Sequence, residues 1–163
     1  MTRSALAATA HHEAGHAFAA ILKGVRFDYV TVEADMQRGS AGHVRFLRAN
    51  AGFEATHKGA VVAMAGEAAQ RRYNPRSIRV HHGEGDREEV AVKAMELCGG
   101  SAKAANLLVR LWDQQARDLV AGWWTEIGIL ADALLAKRRL SEAECRDVRA
   151  THRLGLAEPK VRE

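Results

Sequence analysis

The chain is expected to be mainly α-helical with a small β-hairpin or sheet, and three observations point there. Alanine and leucine dominate the sequence and only 2 of its 163 residues are proline, a mixture that favours helix interiors over strands. Several long segments repeat their apolar residues at three- and four-residue intervals, which puts them on one helical face. Only the stretch from Phe27 to Leu47 carries β-branched and aromatic residues in rough alternation, the pattern of a half-buried strand. With 47% apolar residues, the 163 residues suffice for one domain, residues 1–163, around a single core.

Taken in order, Ser4 caps a first helix that runs to about Lys23, with Leu6, Ala10, Ala14, Phe18, Ile21 and Leu22 near one face. Gly24 ends it. Phe27 to Glu33 and His43 to Leu47 read as two strands, joined across the polar turn Asp35 to Gly42 into a hairpin. A second helix spans Phe53 to about Tyr73 and stops at Asn74-Pro75, because proline disfavours helical geometry in the residue before it. Arg76 to Gly85 is a loop, and Asp86 stands as the N-cap of a helix through Val90, Met95 and Leu97. Gly99-Gly100 interrupts the chain and Ser101 caps the next helical stretch. Lys103 to Lys137 stays helical, with Gly122 and Gly128 leaving open one helix or two. Ser141-Glu142-Ala143-Glu144 matches a capping box ahead of a short final helix.

Composition narrows the function classes. The formal charge of +4 is spread among alternating acidic and basic residues, which describes a solvated surface and not a nucleic-acid footprint. Cys98 and Cys145 lie too far apart to form a metal-type pair, so free thiols in a reducing compartment are expected. No apolar run approaches the ~20 residues that span a bilayer. No basic-then-apolar leader opens the sequence either. A cytoplasmic protein without a membrane segment is the resulting expectation.

The segment that carries chemistry is His12-Glu13-Ala14-Gly15-His16. Histidines at i and i+4 of a helix stand one turn apart on one face, so both imidazoles reach a common ion. Glu13 is rotated from His12 by roughly 100° about the axis, beside the ion and not on the ligand face. That position suits a general base acting on a water at the ion. Imidazole and carboxylate donors with an open position make zinc the natural cation. The bland alternative is a pair of histidines decorating an amphipathic helix. Gly15 argues against it, since glycine inside a helix costs about 1 kcal/mol against alanine and needs a packing reason. His11 lies off the shared face.

A zinc site of this kind requires a third protein ligand from elsewhere. Asp86 follows a glycine-bearing loop and opens a helix, which can aim its carboxylate inward, although an ordinary N-cap would look the same. His81 and His82 are rivals on that loop, Glu67 is another on the second helix, and His43 and His57 are read as surface or core histidines.

On these segments the chain resembles the peptidase domain of the FtsH family of membrane-associated, ATP-dependent zinc proteases. The likeness runs through HHEAGHAFAAIL, VTVEA with the glycine turn before GHVRF, and VVAMAGEAAQRR, which is similar to the family's Gly-x-Ala-Ala-Glu-type helix. It continues through GEGDREEVAVKAM and ILADALLAKRRLSEAEC. The resemblance covers most of the chain in order. It implies a helical zinc-peptidase fold with a small β element and Asp86 as the third zinc ligand. Glu84 and Gly85 depart from the small and amide residues that the family carries before that aspartate. There is no Gly-rich phosphate loop ending in Lys-Ser/Thr, hence no ATPase module in this chain.

The expected activity is zinc-dependent hydrolysis of peptide bonds in peptides or unfolded proteins, with Zn2+ held by His12, His16 and Asp86 and with Glu13 as base. The hairpin from Phe27 to Leu47 either binds substrate backbone as an added strand or covers the active-site helix. Adjacent Trp123 and Trp124 cannot both face inward equally, so one is left for a partner subunit. A homo-oligomer or a separate ATPase is the partner to expect. Two other readings compete. One is a non-catalytic, metal-bearing partner-binding domain. The other is a different H-E-x-x-H hydrolase, such as a repressor-cleaving peptidase, whose third ligand would be a downstream glutamate.

Overall fold

A computed structural model describes residues 3–34, 41–47, 52–78 and 84–157. Among these residues six α-helices and a small antiparallel sheet follow one another as α1 (Arg3–Lys23), β1 (Phe27–Thr31), β2 (His43–Phe46), α2 (Phe53–Tyr73), α3 (Glu84–Leu97), α4 (Ala102–Gly122), α5 (Trp124–Lys137), β3 (Arg139–Ser141) and α6 (Glu142–Ala157), with a short 3-10 turn at Pro75–Ser77 after α2. The fold class is the one the sequence predicts.

Helix α1 is the centre of the molecule. From Ala8 to Ile21 nearly every residue is buried, because α2, α5 and the sheet cover it from different sides. The run Ala14, Ala17, Ala19, Ala20 has no solvent exposure, and such small side chains let neighbouring helices come close. Gly15 takes this furthest. A Cβ there would lie 2.6 Å from the Ala65 carbonyl oxygen and 2.7 Å from the Ala69 Cβ, so α1 and α2 can touch at this level only over a bare backbone. The stability that glycine forfeits in a helix is offset by that contact. Phe18, Phe27, Trp112, Ile127, Leu130, Leu134 and Leu140 fill the remaining core, each contributing about 1.5–3 kcal/mol by leaving water.

The hairpin forms as expected, with Val30 opposite Val44 and Thr31 opposite His43. A third strand, which the sequence pattern does not announce, completes the sheet. β3 pairs with the other edge of β1, Val30 facing Leu140, giving the order β2-β1-β3. Its cause lies outside its own three residues. At the end of α5, Arg138 adopts a left-handed φ of 68° while its N–H bonds the Leu134 carbonyl (2.8 Å). The chain thereby turns alongside β1, and the Arg138 carbonyl accepts from the Val32 N–H (3.0 Å) and the Thr31 hydroxyl (3.0 Å).

Several boundaries shift. Helix α1 begins at Arg3, so Ser4 lies inside its first turn, and β1 ends at Thr31 instead of Glu33. The long helical pattern is two helices, α4 and α5, bent by 81° at Trp123. Gly128 sits within α5 and causes no break. Gly99 and Gly100 both take positive φ (58° and 82°), which ends α3, and the Ser101 hydroxyl accepts from the Ala104 N–H (3.4 Å) to start α4. The capping box of α6 is present: Glu144 accepts from the Ser141 N–H (2.9 Å) while the Ser141 Oγ accepts from the Glu144 N–H (3.2 Å). The turn residues 35–40 lie outside the described residues. No single helix among those described is long and apolar enough to cross a membrane. The bent pair α4–α5 passes that test of length and composition only when taken together. Cys98 and Cys145 are free thiols, and burial pushes the Cys145 thiol up to about 12.

Candidate metal centre

One turn of α2, from Gly66 to Gln70, organises the site on α1. The His16 ring lies flat against Gly66, where an added Cβ would meet Nε2 at 2.2 Å. Its Nδ1–H donates to the Val62 carbonyl (2.8 Å). The His12 Nδ1–H donates to Gln70 Oε1 (2.9 Å). The orientation of that amide is set by its other end, since Gln70 Nε2 donates to the Ser77 carbonyl (3.3 Å) and the Ser77 Oγ (3.2 Å). Both imidazoles therefore carry their proton on Nδ1, and both present a bare Nε2 lone pair to the same point.

Asp86 meets them there. Its Oδ2 is 3.6 Å from His12 Nε2 and 3.3 Å from His16 Nε2, and the two Nε2 atoms are 2.9 Å apart. Among the described residues these three side chains form the group that could hold a metal ion. Three acceptors this close repel unless a proton or a metal cation joins them. A tetrahedral zinc with ligands at about 2.0–2.1 Å holds those ligand atoms about 3.3–3.4 Å apart, and the observed separations bracket that value. The donor set, its tautomers and its spacing all fit zinc. In the absence of an ion a proton takes the same place. Burial disfavours charge on His16, but the Asp86 carboxylate, helped by Glu13 and the Val62 carbonyl, outweighs burial and raises the ring to about 9. For Asp86 burial acts upward, and the two histidines override it, holding the carboxyl far below the ordinary range.

Glu13 is 5% exposed. Burial pushes its carboxyl above the ordinary carboxylate value, the two histidines pull it back and Asp86 adds to the rise. It lies under Gly42, just before β2, where an added Cβ would come within 2.9 Å of Glu13 Cγ and 2.7 Å of the Thr31 carbonyl. The sheet therefore approaches the site through its β2 end.

Several expectations from the sequence shift at this site, and among the described residues the rival ligands have partners elsewhere. Asp86 sits in the first turn of α3, which begins at Glu84, and is not its N-cap. Glu67, a rival ligand, instead accepts from Arg71 and Arg87. His81 and His82 lie outside the described residues. His11 stacks on Tyr73 (3.8 Å between ring centroids) and donates to the Ala7 carbonyl (2.9 Å). His57 accepts from the buried Trp112 indole N–H (2.8 Å), and His43 meets the Tyr29 hydroxyl (3.1 Å). Trp123 packs on Phe18, and Trp124 lies against His11 and beneath Arg72, so both rings pack within the chain. Sequence reasoning did not find Gln70, the Val62 carbonyl or Gly66. The one available signal was Gly66 itself, a glycine in a helix interior with no local reason to be there. No known family model matches this chain and neither does any curated protein, so the geometry of His12, His16, Asp86 and Glu13 is what speaks for its chemistry.

Proposed function

We propose that the chain is a zinc-dependent peptidase acting on peptides or unfolded protein segments, in the manner of the FtsH-type peptidases that its sequence resembles. The observation that carries this reading is the pair of Nδ1–H donors, to Gln70 and Val62, which leaves two Nε2 lone pairs converging with Asp86 at zinc-like separations. A purely structural zinc is normally closed by four protein ligands. Among the described residues three converge, with an additional carboxylate, Glu13, buried next to a ligand in the sequence.

His12, His16 and Asp86 would hold the zinc, which when bound would supply a Lewis acid able to acidify a water and polarise a carbonyl. Glu13 is the chain's own group to hold the proton that an attacking water gives up and to return it to the departing amine. Before a cation is bound, burial already raises its carboxyl above the ordinary value, the direction that suits a group serving first as base and then as acid. Gln70 and the Val62 carbonyl keep the two rings in the ligating tautomer throughout. β1 is occupied on both sides by β2 and β3, so the outer edge of β2, which starts beside Glu13, is the strand that can hold an extended peptide by backbone hydrogen bonds.

The test is zinc content and ATP-free hydrolysis of an unstructured peptide library, with a chelator control. Wild type should bind about one zinc per chain and cleave. His12→Ala should lose the metal. Glu13→Gln should keep metal and fold while its rate falls about 10²–10⁴-fold. Hydrolysis by Glu13→Gln at the wild-type rate would overturn the mechanism. Wild-type protein that binds zinc and cleaves nothing would turn the reading to a metal-bearing scaffold.

A further inference from the structure

We propose that Arg87 is a positioning residue for the metal centre, clipping the first turn of α3 to α2 so that Asp86 is delivered to the histidines; this rests on the zinc reading above. Among the described residues, the start of α3 has little else to hold it. Gly85, Arg87, Glu88 and Glu89 are at most partly covered, and the first fully buried apolar residue of the helix is Val90, one turn beyond Asp86. Asp86 itself keeps 38% of its side chain exposed. Its backbone is nevertheless placed closely enough for Oδ2 to stand 3.3 Å from His16 Nε2.

The contact that does this is the fork of Arg87 on Glu67. Nη2 donates to Oε1 at 2.7 Å and Nε donates to Oε2. A bidentate guanidinium–carboxylate pair sets angle as well as distance. Successive helical residues diverge by roughly 100°, so Arg87 can grip α2 while its neighbour Asp86 faces α1. Glu67 is only 8% exposed and lies in the well-buried stretch of α2 from Met64 to Gln70, so it is a fixed anchor. It also lies between Gly66, which supports the His16 ring, and Gln70, which orients His12. The same turn of α2 thus positions all three metal-binding side chains.

Arg71 provides the control. It binds the same carboxylate but belongs to α2, so removing it loosens no link to α3. Metal-free protein is titrated with zinc in competition with a chromophoric chelator, and its unfolding in urea is followed in parallel. Arg87→Ala should weaken zinc binding about 10-fold, at the lower end of the effect of groups that orient ligands. Arg87→Lys should recover part of the loss. Arg71→Ala should leave affinity at the wild-type level, and Arg87→Ala should have no further effect in an Asp86→Ala background. Glu67 stays paired with Arg71 in Arg87→Ala, so no uncompensated buried charge is created and the fold should persist. Wild-type affinity in Arg87→Ala would overturn the clip alone. So would an equal loss in Arg71→Ala, or a loss that persists without Asp86. Failure of the wild type to bind zinc would overturn the site itself and the clip with it.

Discussion

Replacing Gly66 with alanine should abolish zinc binding at the proposed metal site while leaving the fold standing. With the backbone unmoved, the new Cβ would lie 2.2, 2.5 and 2.6 Å from Nε2, Cε1 and Cδ2 of His16. Contacts between such atoms become favourable near 3.5 Å, so the ring must retreat by roughly 1.3 Å. Metal–ligand distances tolerate only about 0.2 Å, and the retreat also draws Nδ1 off the Val62 carbonyl. A ligand is therefore lost, and zinc affinity should fall by at least about 100-fold, the upper end of what disturbing a ligand's support causes. For the metal-free protein the terms partly cancel. Alanine gains about 1 kcal/mol in a helix, the broken hydrogen bond loses about 1 kcal/mol, and the crowding costs about 1–3 kcal/mol. The net loss is about 1–3 kcal/mol, which a domain of ordinary stability survives. Gly59, in the same helix with nothing within 4 Å of its would-be Cβ, is the internal control. Gly59→Ala should stabilise by up to about 1 kcal/mol and leave zinc binding alone. Zinc affinity by chelator competition and urea unfolding of both variants check this. Gly66→Ala binding zinc as tightly as wild type would refute the placement of His16.

Three further outcomes rest on particular contacts. Gln70→Leu removes the acceptor for His12 Nδ1 and should weaken zinc about 10–100-fold in the same competition assay. Gly15→Ala should destabilise by about 1–3 kcal/mol in urea, although helix propensity alone would have it stabilise, because the Ala65 backbone it meets cannot swing aside. Glu142 accepts from Arg26 (2.7 Å), Arg146 (2.8 and 2.9 Å) and the Phe27 N–H (3.2 Å). Burial raises its carboxyl, and these donors together bring it below the ordinary value. A depressed folded-state value means stability that is present above the unfolded value of about 4.3 and lost as pH falls through the folded one. The gap in unfolding free energy between wild type and Glu142→Gln should therefore be widest at neutral pH and close on acidification.

The features that the sequence determined by itself are local. Two histidines one turn apart, a glutamate offset between them, glycines that stop helices and the capping box at Ser141 all act within a few residues, so their geometry is set by helix pitch and backbone stereochemistry. The pairing of β1 with β2 was legible for the same reason, as a short connection between two alternating runs. β3 was not, because so short a strand carries no period and exists only where Arg138 turns the chain beside β1. Gly15 stood out as a helix-interior glycine and Gly66 did not, and in both cases the groups that fill the space of the missing side chain, Ala65 and Ala69 in one and the His16 ring in the other, come from a different helix. The sequence favoured Asp86 as third ligand but left Glu67 as a rival carboxylate. The packing of α2 against α3 separated them, because Arg87 and Arg71 neutralise Glu67 where it is buried, while the neighbouring Asp86 is left to face two imidazole lone pairs. Charge on a buried group goes to whichever partner the tertiary structure brings within reach, and spacing along the chain does not encode that distance.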